Sequence, residues 1–143
     1  MPSRKSIAAL ILSLTLLLAF SCARLHAGAP FTEVSMLANG TWGGEHVILN
    51  VSKSGAEVEF DCAHGQITQA IALDKHGDFK ATGTFTPEHS GPVRRDEDTP
   101  PTPATYAGHV EGDSMNLTVT LGKENIGTFT LTLGAHPNLR KCR

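Results

Sequence analysis

Apolar and polar residues alternate along most of the chain after Pro30, and this period of two predicts β-strands. The clearest alternation covers residues 46–52, 56–62, 79–86, 106–111, 115–121 and 128–133. Short turn sequences such as Lys53-Ser54-Gly55 and Gly112-Asp113 separate neighbouring segments and favour hairpins. No stretch combines a sustained 3.6-residue period with helix caps, so the chain is predicted to be all-β.

Strands that follow one another through short turns favour an antiparallel meander. About eight strands are expected, and a small closed barrel would leave none of their edges exposed. A two-sheet β-sandwich stays open as the alternative, because alternation alone does not distinguish a sandwich from a barrel. The threonine-rich polar faces, such as the one with Thr82, Thr84 and Thr86, are interpreted as solvated outer surface.

One segment, residues 87–104, interrupts the alternation with five prolines and the charged run at 94–98. Proline lacks a backbone donor and favours polyproline II or turn geometry, so this segment is predicted to be a loop and not a central strand. A connection of this length is usually either functional or disordered, and both interpretations stay open. If it is functional, its predicted contact residues are Glu88, His89, Arg94 and Arg95.

The first 23 residues have the order of an export signal, with Arg4 and Lys5 before an apolar run over residues 7–20. This run is shorter than the roughly 20 residues that a transmembrane helix needs, so no membrane span is expected. Residues 1–23 are therefore predicted to be a signal peptide, residues 24–39 a linker or first edge strand, and residues 40–143 a single β domain. The predicted location is the periplasm or the cell surface.

The cleavage site has two candidates around Cys22. Small residues at Ser21 and Ala23 suit cleavage after Ala23, whereas cleavage after Ser21 would leave Cys22 as an acylated N-terminus. Acyl chains there would anchor the domain to a membrane. Without Arg4 and Lys5 the basic count falls from 12 to 10 against 14 acids, a formal charge of −4, which disfavours a nucleic-acid partner.

Two cysteines, Cys62 and Cys142, remain beyond the predicted signal. In an oxidising compartment they are expected to form one disulfide. It would close a loop of about 80 residues and stabilise the fold by at most about 4 to 5 kcal/mol on the chain-entropy model. The alternative is that Cys62 acts as a nucleophile with His64 as its base.

Histidines and carboxylates are the candidate metal ligands, because neutral imidazole and carboxylate oxygen suit zinc or copper. The histidines considered are His46, His64, His89 and His109. The sequence has no HExxH, no Cys-x-x-Cys and no G-x-S-x-G motif, and its glycines form no phosphate-binding pattern. We therefore predict no catalytic residue and no cofactor.

Two resemblances bear on the fold. Gly40-Thr41-Trp42 resembles the Gly-x-Trp opening of lipocalin and avidin-like barrels, which implies that Trp42 closes one barrel end and that Arg140 or Lys141 lies over it. The segments GTWGGEH, EFDCAHG and PEHSGP are together similar to small exported bacterial proteins of unassigned activity. That similarity implies export and the domain limits, and it transfers no catalytic residue.

These observations rank an exported, non-catalytic binding module first, with a small apolar ligand at the barrel mouth or a protein partner. A protein-binding inhibitor that uses the Pro-rich loop is the first alternative. A metal-binding protein that uses the four histidines is the second. A lined cavity would favour the binding module, a filled barrel with a projecting loop the inhibitor, and convergence of three histidines the metal-binding protein.

Overall fold

The computed structural model describes residues 34–89, 91 and 99–142. The predicted signal peptide with Cys22, and the loop residues Arg94 and Arg95, lie outside this part of the chain. The strands of the described residues are β1 (Ser35–Met36), β2 (Gly40–Gly44), β3 (Val47–Ser52), β4 (Gly55–Phe60), β5 (Ala63–Ile67), β6 (Ala72–Leu73), β7 (Asp78–Pro87), β8 (Thr102–Glu111), β9 (Ser114–Leu121) and β10 (Glu124–Leu133).

Eight of these strands form a closed antiparallel barrel in the order β10-β2-β3-β4-β5-β7-β8-β9. The barrel closes where β10 pairs with β2, with Leu131 opposite Gly44 and Leu133 opposite Trp42. The predicted all-β meander and eight-stranded barrel are confirmed, and the sandwich alternative is wrong because this pairing leaves one continuous sheet. The short strands β1 and β6 pair with each other outside the barrel.

Alternation along each strand directs the apolar side chains into the barrel, as the period of a pleated strand requires. The largest fully buried side chains are Trp42, Tyr106, Leu49, Ile67, Met115, Leu117, Leu131, Val47, Val58 and Val119. Among the described residues no polar or charged side chain other than Tyr106 is buried with them. The inside of the barrel is therefore packed with the protein's own side chains.

The Tyr106 hydroxyl has a partner inside this core, since it donates a hydrogen bond of 2.6 Å to the backbone carbonyl of Thr84. Burial raises the pKa of Tyr106 to about 12. Gly65 makes room for the ring, because a Cβ at that position would overlap the Tyr106 hydroxyl and the Thr84 carbonyl. A small residue on β5 thus permits a large aromatic residue on β8.

Strands of alternating direction bring the turns at residues 45–46, 61–62 and 122–123, and the connection after β7, to one end of the barrel. Phe60, the last residue of β4, packs there against Phe85 and Phe129 with ring centroids 5.4 Å apart in both pairs. Tilted aromatic pairs at this spacing are favourable. These three rings fill the barrel at the end where the connection leaves β7.

The Pro-rich connection is shorter than the predicted 87–104 and covers residues 88–101, because β7 extends to Pro87 and β8 begins at Thr102. Pro103 lies in β8 opposite Thr84. It is tolerated because β9 pairs with β8 only from Thr105 onward, so no second strand needs the missing N–H of Pro103.

Candidate functional site

Carboxylate, amide and imidazole side chains lie together on the outer face of β4 and β5. The strand period turns Glu57 and Glu59 outward on β4, and the register places Gln66 opposite Glu57 and His64 opposite Glu59. Glu88, the first residue after β7, completes this set because its backbone N–H donates to the Cys62 carbonyl beside β5. Three carboxylates and one imidazole therefore share one outer face.

Two depressions lie along this face. One has a volume of about 490 Å³, and its lining residues are Glu57, Val58, Glu59, His64, Gly65, Gln66, Glu88 and Lys141. The other has a volume of about 600 Å³, and its lining residues are Gly40, Thr41, Asn50, Val51, Ser52, Ser54, Gly55, Ala56, Glu57, Gln66, Ile67 and Thr68. Glu57 and Gln66 line both, so the two depressions are adjacent on this face, and we call them together the β4–β5 groove.

Charge is concentrated in the smaller depression. The Lys141 ammonium lies 3.5 Å from a Glu59 oxygen and 3.5 Å from Glu88 Oε2, and it donates a hydrogen bond of 3.1 Å to the Phe60 carbonyl. His64 Nδ1 lies 2.9 Å from the other Glu88 oxygen. This hydrogen bond from His64, assisted by the charge of Lys141, lowers the pKa of Glu88.

Lys141 reaches the groove on a C-terminal segment, residues 134–142, that we call the C-terminal strap. The strap packs on Gly43, where a Cβ would overlap the Ala135 carbonyl. It then follows β2, since the Asn138 N–H donates to the Gly44 carbonyl at 3.1 Å and the Asn138 carbonyl accepts the His46 N–H at 2.9 Å. The strap therefore crosses from β2 to the end of β4.

The far end of the strap is held at the turn between β4 and β5. Cys142 forms the predicted disulfide with Cys62, and its N–H donates to the Asp61 carbonyl at 3.1 Å. One Asp61 carboxylate oxygen accepts the Arg140 N–H at 2.7 Å, and the other lies 2.6 Å from His46 Nδ1. The Arg140 N–H, with the smaller effect of His46, lowers the pKa of Asp61 despite partial burial.

The disulfide also decides the nucleophile alternative. A thiolate is the nucleophilic form of cysteine, and Cys62 has no thiol because its sulfur is bonded to Cys142. The imidazole of His64 is directed to Glu88, not to a sulfur atom. The pairing of Cys62 with His64 as nucleophile and base is therefore wrong for this form of the protein.

The four candidate metal-binding histidines do not form a ligand group. His46 pairs with Asp61, His64 with Glu88, and His109 with Asp78, where Nδ1 and the carboxylate oxygen lie 2.8 Å apart. His89 follows Glu88 and is exposed. Across residues 34–89, 91 and 99–142, no group of three or more histidine, cysteine or acidic side chains is placed to hold a metal ion. These three histidines are therefore paired with carboxylates at three separate places on the barrel.

Trp42, predicted to be a core residue at one barrel end, is fully buried, and its indole N–H donates to the Ala38 carbonyl at 3.0 Å. The expected cover of a basic side chain is not made by Lys141, whose ammonium lies among carboxylates in the groove. Arg140 is held by its backbone N–H at Asp61. The resemblance to Gly-x-Trp barrels therefore agrees with the burial of Trp42, but it does not account for Lys141.

The predicted contact-loop residues are separated by the structure. Glu88 lines the groove and His89 lies next to it in the chain, whereas Arg94 and Arg95 are outside the described residues. The sequence interpretation missed Glu57, Glu59 and Lys141 as site residues. Two features of the sequence could have identified them. The alternation of β4 places Glu57 and Glu59 on one face of the strand. The predicted disulfide places Lys141, next to Cys142, near the end of β4.

Within the described residues, no helix has the length and apolar character needed to span a membrane. No protein-family model, no curated protein and no solved structure matches this chain.

Proposed function

We propose that the protein is an exported, non-catalytic binding module that engages a protein partner through the β4–β5 groove on its outer surface. The observation that carries this proposal is the packed barrel, which moves the expected binding surface from the barrel mouth to the outside and also fits the inhibitor alternative. Trp42, Leu49, Tyr106 and Met115 are each fully buried inside it, and they occupy the space that an apolar ligand would need. Binding is therefore assigned to the outside.

Export is supported by the order of residues 1–23 and by the Cys62–Cys142 disulfide, since disulfides persist in oxidising compartments. The periplasm or the cell surface is the proposed location. An acylated Cys22 would hold the module at a membrane and present the groove to partners nearby. The form anchored through Cys22 and the unanchored form would contain the same β domain and the same groove.

In the inhibitor alternative, the partner also contacts the 88–101 connection beside the groove. Glu88 begins the 88–101 connection and lines the groove, so a partner seated in the groove would also meet the first residues of that connection. Binding modules often place recognition residues on such connections because a rigid scaffold positions them. An inhibitor would thus be a special case of the proposed module, in which the bound partner is an enzyme.

The test is native mass spectrometry of the protein purified from its own host, with two matched variants. Gln66→Trp places a large ring in the groove, and Thr82→Trp places the same ring on the exposed outer face of β7. We expect a protein complex for the wild type and for Thr82→Trp, and its loss in Gln66→Trp. A bound apolar small molecule in all three samples, or a complex that Gln66→Trp leaves intact, would contradict the proposal.

A further inference from the structure

We infer that the β4–β5 groove accepts an extended segment of the partner that carries a lysine or arginine beside uncharged polar residues. This inference rests on the proposed function, because it names the chemistry of the partner that the same groove would bind. The extent of the groove along β4, the distribution of charge in it and the kinds of side chain that line it support this inference.

The groove includes five consecutive residues of β4, Gly55 to Glu59, and its larger depression also extends across β3 to Thr41 on β2. At about 3.3 Å per residue its extent along β4 is about 16 Å, which matches about five residues of an extended chain. Both β4 and β5 are already paired on each side within the barrel, so a bound segment would lie on the sheet face and contact side chains. Side-chain chemistry therefore selects the partner.

The charges of the smaller depression are unbalanced. Three carboxylates, those of Glu57, Glu59 and Glu88, line it with only two basic side chains, Lys141 and His64. In the described part of the chain Glu57 makes no ion pair or hydrogen bond through its side chain, and it lies where the two depressions meet. A cationic side chain of the partner would complement this surplus.

The contacts of Lys141 leave the carboxylates of Glu59 and Glu88 able to bind such a cation. Its ammonium is 3.5 Å from both Glu59 and Glu88, which is longer than a direct charge-assisted hydrogen bond, and its hydrogen bond goes to the Phe60 carbonyl. The carboxylates of Glu59 and Glu88 therefore keep acceptor capacity for an incoming ammonium or guanidinium group. Arginine would use it best, since its planar fork can bind two oxygens at once.

The larger depression differs from the smaller one because most of its polar side chains are uncharged. Thr41, Asn50, Ser52, Ser54 and Thr68 supply hydroxyl and amide groups, and a hydrogen bond of 2.9 Å from Thr41 to Asn50 orders two of them. These groups suit uncharged polar side chains and the backbone of an extended segment. The lining residues include no Phe, Tyr or Trp, so the groove lacks the large rings on which a sugar or a base would stack.

The inference is tested with labelled, capped peptides of six residues, the length of β4. Each peptide has a Ser/Thr/Ala background, and two alternate positions hold arginine, glutamine or glutamate. Fluorescence anisotropy at low salt should give about tenfold tighter binding for the arginine peptide than for the glutamine peptide. The glutamate peptide should bind weakest, and about 150 mM salt should reduce the difference.

Two double variants, each with two negative charges removed, distinguish binding at a specific site from general electrostatic attraction to an acidic protein. Glu57→Gln with Glu59→Gln should weaken binding of the arginine peptide about fivefold or more. Glu111→Gln with Glu124→Gln removes two exposed acids from other strands and should leave that affinity unchanged. Equal affinity for the three peptides, or an equal loss in both double variants, would overturn the inference. Circular dichroism of each variant verifies that the barrel is folded.

The two proposals fail in different ways. If Gln66→Trp removes the native partner but the peptides show no preference for arginine, the groove binds a partner of another chemistry and only the present inference is wrong. If the native complex survives Gln66→Trp, the groove is not the binding surface, and the proposed function is wrong whatever the peptides do.

Discussion

Cys142 is bonded to Cys62, which lies 80 positions earlier, and this bond holds Lys141 beside Glu59 and Glu88. The disulfide therefore has a local consequence besides its effect on the unfolded chain. By fixing the end of the chain next to β4, it places the Lys141 ammonium on the outer face of that strand, where this side chain lines the β4–β5 groove.

Replacing both cysteines, Cys62→Ser with Cys142→Ser, should lower the free energy of unfolding. Loss of an 80-residue loop closure predicts about 4 kcal/mol on the chain-entropy model. Urea denaturation of the variant and of the wild type measures the difference, and reduction of the wild type with dithiothreitol should produce a similar loss. An unchanged midpoint after confirmed reduction would show that the disulfide does not stabilise the fold.

Gly65→Ala should destabilise the barrel by about 2 kcal/mol, in the range expected for overpacking. The added methyl would overlap the Tyr106 hydroxyl inside the core and the Thr84 carbonyl on the neighbouring strand. The adjacent exposed residue provides the control, since Gln66→Ala should change stability by less than about 0.5 kcal/mol. Thermal or urea unfolding of both variants compares them, and equal stability would mean that β5 can shift to admit the methyl group.

Asp61 should make the protein sensitive to acid. Its pKa is lower in the folded state than its usual value of 3.8, so its stabilising contribution is present above that value and is lost as pH falls through the folded pKa. Between pH 6 and about pH 2.5 the urea midpoint of the wild type should therefore fall more than that of Asp61→Asn. Parallel pH profiles for the two proteins would contradict the assigned role of Asp61.

The single tryptophan offers a test of the packed interior. Trp42 is fully buried, and its indole N–H is bonded to the Ala38 carbonyl. We expect blue-shifted emission, weak quenching by iodide, and a red shift on unfolding in urea. Emission typical of water in the native protein, or efficient iodide quenching, would show that this part of the barrel is open to solvent.

The inner faces of the strands were predictable from the sequence because alternation is a local property. Met115, Leu117 and Val119 were expected on one face of a strand, and all three are fully buried. Pro103 was expected in a loop and lies in β8, because the effect of proline depends on more than its local sequence. Proline rules out a position only where the strand on the side of its missing N–H is paired at that point, and that depends on register, which a local pattern does not contain.

The sequence by itself determined the all-β class, the antiparallel meander and the pairing of Cys62 with Cys142, because a two-residue period, short turns and a count of cysteines need no knowledge of distant contacts. Only the tertiary structure decided that the sheet closes through Leu131 and Gly44, that the histidines pair with separate carboxylates, and that Lys141 meets Glu59. Those relationships join residues far apart in the chain, and strand register, barrel curvature and the path of the C-terminal strap bring them together.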